Sequence, residues 1–120
     1  MSNFYKITSF AYLFVLTFSL LIPLDSTVVL VLVDENSHPT DFIALFIHLI
    51  LYFILYFLFE KIILYKKILF FVCIIYSIII EFLQLLSGRG FEFLDILFNI
   101  IGIILAYIMI SLYNLKFTND

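Results

Sequence analysis

Four uninterrupted apolar runs, at about residues 5–24, 41–59, 68–86 and 93–113, dominate this 120-residue chain. Each is roughly 20 residues long, the length a helix needs to cross the hydrocarbon of a bilayer. Hydrophobic residues make up 66% of the sequence and charged residues only 12%. A soluble domain carries about twice that charge, and one of this length cannot hide so much apolar surface in one core. The expected fold class is therefore all-α, a single-domain four-helix transmembrane bundle. The linkers at 60–67 and 87–92 are short, which forces antiparallel neighbours. No internal repeat interrupts this pattern, and no basic patch suits nucleic acid.

The first run follows Lys6 and invites comparison with a signal peptide. It is long for one, and residues 24–28 offer no small-x-small cleavage site, so it reads as a retained helix ended by Pro23 and Asp25. Residues 27–33 are β-branched and apolar but too few to span as a helix. Either a short extended piece or a continuation of the first helix fits them.

Lysine placement sets the expected orientation. Lys6, Lys61, Lys66, Lys67 and Lys116 fall on one side of the bundle and only Arg89 on the other. The positive-inside rule then makes both termini cytoplasmic. Asp25, Asp34, Glu35, His38 and Asp41 face outward with the Ser87-Gly88-Arg89-Gly90 turn. Trp is absent, so the interfacial belt falls to the eight Tyr, and Lys66-Lys67 is an inner anchor. The lone Cys73 has no internal disulfide partner and reads as a packed or lipid-facing thiol.

A few polar residues break the apolar runs. An ionisable group in a spanning helix costs roughly 2.5–3.5 kcal/mol on insertion scales, so such groups point to a site by default. Asp41, His48 and Tyr52 share one helix face at i, i+7, i+11. Glu81 and Gln84 are i, i+3; Asp95, Asn99, Gly102 and Ala106 are i, i+4, i+7, i+11. At 1.5 Å per residue, His48, Glu81 and Asn99 all lie roughly 10 Å below the outer surface. One inward-facing pocket accounts for that shared level.

The chemistry of this set leaves alternatives. Arg89 can reach Asp95 or Glu81, either binding an anion or clamping two helices. His48 is a packing residue or, with Glu81 setting its tautomer, an acid–base group. His48, Glu81 and Asp95 are competent metal ligands, but no tight ligand spacing marks them, so no metal and no cofactor is expected. The Gly88-Arg89-Gly90 stretch lacks the Gly-Lys-Ser/Thr pattern of a phosphate loop and reads as a tight turn.

The stretch EFLQLLSGRGFEFLDILFNIIG, residues 81–102, resembles the VanZ-like family of small bacterial membrane proteins. It carries Glu81-x-x-Gln84, then Gly88-Arg89, then Asp95, Asn99 and Gly102. His48 and Tyr52 in HLILY resemble the family's His-x-x-x-Tyr in its second helix. Ala44 and Leu45 stand where the family often has an Asp-Lys pair, with Asp41 one turn further out. The resemblance implies a multi-pass protein of the bacterial plasma membrane and cell envelope. The name-giving member is associated with low-level teicoplanin resistance, and no established reaction comes with the family.

The function expected from these readings is to bind or modify a lipid or lipid-linked envelope precursor at an outward-facing pocket. His48 and Glu81 are the catalytic candidates. Arg89, Glu81, Gln84, Asp95, Asn99, Tyr52 and Asp41 would form the ligand-binding set. The alternative is a noncatalytic accessory subunit of an envelope enzyme, its polar cluster serving as helix–helix glue. A small oligomeric channel is a third reading, against which the one-sided pocket speaks. The expected partners are the bilayer and that envelope component.

Overall fold

The computed structural model describes residues 2–22, 40–88 and 92–118. Segment 27–33, for which two conformations stayed open, lies outside the described residues, as do Arg89 and Gly90. Among the described residues four helices follow one another: α1 (Ser2–Leu21), α2 (Thr40–Glu60), α3 (Lys66–Leu86) and α4 (Phe93–Thr118). All four are long and apolar enough to cross a membrane. The described residues form the expected all-α, four-helix architecture.

The helix ends differ from the apolar runs for local reasons. Helix α1 begins at Ser2 and stops at Leu21. Ile22 precedes Pro23, and a residue before proline is pushed out of the helical region. Helix α3 starts two residues early, at Lys66, and α4 continues past the apolar run to Thr118. Lys116 in that last turn meets the carbonyl end of the helix dipole. At the other end of α3, the Ser87 N–H donates to the Leu83 carbonyl at 2.9 Å and Gly88 turns to φ +86°. That left-handed conformation is cheap only for glycine.

Between α2 and α3 the chain reverses in one tight turn. The N–H groups of Ile62 and Ile63 both donate to the Phe59 carbonyl, at 3.0 and 2.9 Å. Glu60 sits between the ammonium groups of Lys61 and Lys66, each at 3.7 Å. The turn makes α2 and α3 antiparallel neighbours.

Helix α2 makes its most extensive contact with α4. Helix α1 packs on α2 and α3, and among the described residues it does not reach α4. Leu16, Leu20, Tyr52, Leu55, Tyr56, Leu69, Cys73, Ile80, Ile103, Ala106 and Ile110 make up the apolar core. Cys73 is thus a packed thiol, one of the two states expected of it. Outside the core, Phe14, Phe46, Phe71, Phe82 and Leu105 are exposed. Only 17% to 33% of each span is buried inside the protein. In water so much exposed hydrocarbon would drive aggregation, whereas in a bilayer it is the lipid-facing surface.

Hydrogen bonds fasten α1, because apolar contact alone gains little between helices in lipid. Ser9 Oγ donates to the Leu58 carbonyl at 3.2 Å, and Tyr12 Oη to the Leu51 carbonyl at 2.7 Å. Thr17 Oγ1 gives its proton to the Leu13 carbonyl at 2.8 Å and so accepts from Tyr76 Oη at 2.7 Å. Gln84 Nε2 donates to the Leu20 carbonyl at 2.9 Å.

Helices α2 and α4 approach closely at Gly102. A Cβ there would strike the Leu49 carbonyl oxygen and lie 3.0 Å from its carbon and 3.2 Å from its Cα. These are backbone atoms, so relief requires α2 itself to move. Gly102→Ala should lower unfolding free energy in detergent by about 1–3 kcal/mol, the range for overpacking. An unchanged stability would show that the two backbones are not in contact there.

Candidate functional site

The polar side chains converge where α2, α3 and α4 meet, toward the Ser87 end of the bundle. Helix α2 contributes His48 and, one turn on, Tyr52. Helix α3 contributes Ser77 and Glu81, spaced i, i+4 on one face. Helix α4 contributes Asp95 and Asn99 at the same spacing. Tyr52, Ser77, Glu81 and Asn99 are fully buried and His48 nearly so, while the Asp95 side chain retains 15% exposure. Glu60, at the opposite end of α2, takes no part.

Asn99 organises the cluster. Its Nδ2 donates to Ser77 Oγ at 3.0 Å, and its Oδ1 lies 3.1 Å from His48 Nδ1. An amide oxygen only accepts, so His48 Nδ1 carries the proton. Nε2 then points toward Asp95, whose Oδ2 is 3.5 Å away. If Nε2 is protonated as well, the two form an ion pair. One amide thereby joins α2 to α3, and one imidazole joins Asn99 to Asp95.

Glu81 lies close to this pair. One donor atom each from His48, Glu81 and Asp95 fall within 4.8 Å of one another. Linear spacing gave no reason to group them as ligands, since each comes from a different helix. Folded, they are the residues that could hold a metal ion. They also supply one imidazole and two carboxylates for proton transfer.

Several expected pairings change. Asn99, and not Glu81, fixes the His48 tautomer. Asp95 faces His48; Arg89, for which the sequence left Asp95 and Glu81 open as partners, lies outside the described residues. Gln84 is buried, but its amide ties α3 to the backbone of α1. Asp41 belongs to the first turn of α2, and its side chain is outside the described set. Tyr52 packs its ring 5.9 Å from that of Tyr76.

Ser77 was missed in the sequence. Its only signal was position, one turn before Glu81 on the same face, and a serine in a spanning helix commonly bonds its own backbone.

The bond between Asn99 and Ser77 is open to a double-mutant cycle. Asn99→Ala and Ser77→Ala should couple by about 0.6 kcal/mol, with about 1.7 as the ceiling known for interhelical bonds in membranes. Thr8 bonds the Phe4 carbonyl of its own helix at 2.8 Å, so Thr8→Ala paired with Asn99→Ala is the control. Unfolding in detergent measures both. A coupling no larger than the control's would remove Asn99 from the centre of the cluster.

The VanZ/LLP1 family model matches residues 3–114, a span that contains all four helices nearly whole and every residue of the cluster. No curated protein and no solved structure matches the chain. The match covers most of the chain, and four membrane-competent helices carry the motif, so this is a multi-pass membrane protein of the VanZ/LLP1 family.

Proposed function

We propose that this protein sits in the bacterial plasma membrane with both termini cytoplasmic. Its polar cluster would then face the outer leaflet and bind or modify the anionic head group of a lipid or lipid-linked envelope precursor. The observation that carries this reading is the gathering of His48, Glu81 and Asp95 within 4.8 Å at the meeting of three apolar helices. Ionisable groups at that place are expensive, and function is the usual reason they persist. Five lysines against one arginine set the orientation. His48 is the proton carrier of the site, with Glu81 and Asp95 beside it. Asn99 orients the imidazole. Arg89, in the link between α3 and α4, meets the anionic group, and Asp41, Tyr52 and Gln84 shape the rest.

The family resemblance ties this reading to glycopeptide response. One set of strains tests both parts. Deleting the gene should change the lipid extract of the envelope, and wild-type protein should restore it. Arg89→Ala should fail to restore it yet keep the thermal stability of the wild type in detergent. Arg89 lies in the outer link, where water can solvate whichever carboxylate loses its partner, a loss of about 0–1 kcal/mol. Glu81 is fully buried, so Glu81→Ala should lower stability and function together. Teicoplanin susceptibility of the same strains reports the glycopeptide link. An unchanged lipid extract in the deletion strain would contradict the reading.

A second reading has its own support. The Asn99 bonds to α2 and α3 and the Gln84 bond to α1 are those expected of helix glue in a noncatalytic accessory subunit. Arg89→Ala unfolding the protein as severely as Glu81→Ala would favour it.

A further inference from the structure

We propose that His48 Nε2 and one carboxylate oxygen each from Glu81 and Asp95 form a binding site for a divalent transition-metal ion of the Zn2+ type. One ligand atom from each of the three residues already lies within 4.8 Å of the others, and Nε2 is 3.5 Å from Asp95 Oδ2. Around Zn2+, bonds of about 2.0–2.2 Å put neighbouring ligand atoms roughly 3.3 Å apart. Side-chain rotations of an ångström or so close that difference without moving a helix.

The tautomer of His48 supplies the second observation. Asn99 gives its Nδ2 hydrogen to Ser77, which leaves Oδ1 to accept from His48 Nδ1. The lone pair of neutral His48 therefore lies on Nε2 and faces Asp95 Oδ2. A lone pair opposite a carboxylate is repulsive unless a positive centre, a proton or a metal ion, lies between them. A metal ion is such a centre. A ring N–H anchored on one side, with the other nitrogen presented to the ion, is the usual arrangement of a ligating histidine. Asn99 and Ser77 would be its outer support.

Imidazole with carboxylates suits Zn2+, Mn2+ or Fe2+ better than Mg2+ or Ca2+. Three protein ligands also leave a coordination position open, as in catalytic zinc sites. That position would take an oxygen of the anionic head group, a step that rests on the proposed function; the metal site itself does not.

The test uses the full chain, purified in detergent without a histidine tag, stripped with chelator and titrated with Co2+ as a coloured stand-in for Zn2+. The expected result is one equivalent bound per chain, with visible absorption bands that added Zn2+ abolishes. His48→Gln and Glu81→Gln should each weaken binding at least 100-fold. Asn99→Ala should weaken it about 10–100-fold, as losing outer support does. Circular dichroism of each variant checks that the helices remain. X-ray absorption of the wild-type Zn2+ complex is independent of any variant and should show a mixed nitrogen and oxygen shell containing one imidazole. Wild-type protein that takes up no stoichiometric Co2+ would overturn the site, as would binding unchanged by His48→Gln and Glu81→Gln. Neither result depends on lipid, so a metal-free protein that still alters the envelope extract would sink this inference and leave the proposed function standing.

Discussion

Gly102 against the Leu49 carbonyl sets how closely α2 and α4 run, and the polar cluster depends on that distance. His48 precedes Leu49 by one residue, and Asn99 precedes Gly102 by one turn. With the backbones in contact, the imidazole and the amide meet at 3.1 Å. A larger residue at 102 would separate the helices, and no other side chain on α4 offers His48 Nδ1 an acceptor at that level among the described residues. Close approach through a small residue is how helices associate in lipid, where apolar surface gains little by leaving its surroundings.

A second constraint acts on what is buried. Hydrocarbon leaves no water to satisfy a polar atom, so each must find its partner within the protein. The chain answers this with bonds that cross between helices. Ser9, Tyr12, Thr17 and Gln84 fasten α1, and Asn99 and His48 bind α2, α3 and α4 together. The first set ends on backbone carbonyls and one tyrosine, groups with no acid–base role at neutral pH. The second set ends on a serine, a histidine and the Asp95 carboxylate, with Glu81 close by. This division separates the fastening of the bundle from the place where chemistry can occur.

Much of this was legible before folding. Apolar run length announced four spans, and short links announced antiparallel neighbours. The shared level of His48, Glu81 and Asn99 followed from counting residues along helices. The pairings were not legible, because they depend on how far each helix is rotated and slid against the next. By charge Arg89 was the obvious partner for Asp95 or Glu81, and nothing in the sequence marked His48, on another helix, as a group that Asp95 faces. Gln84 belongs by motif with Glu81, yet its amide reaches the Leu20 carbonyl, and a backbone carbonyl has no signature in a sequence. Ser77 carried too ordinary a residue type to stand out. The metal-competent trio was hidden for a related reason. Its members are separated by 33 and 14 positions along the chain, and only the contact of three helices brings them together.

The orientation of His48 by Asn99 is the claim on which both the site and its chemistry rest. Nitrogen-15 spectra of histidine-labelled protein in bilayers read it directly, with His38→Gln leaving His48 as the single histidine. The account predicts a proton held on Nδ1 and a hydrogen-bond shift that disappears in Asn99→Ala. A ring that exchanges between tautomers like free histidine, unaffected by Asn99→Ala, would contradict it.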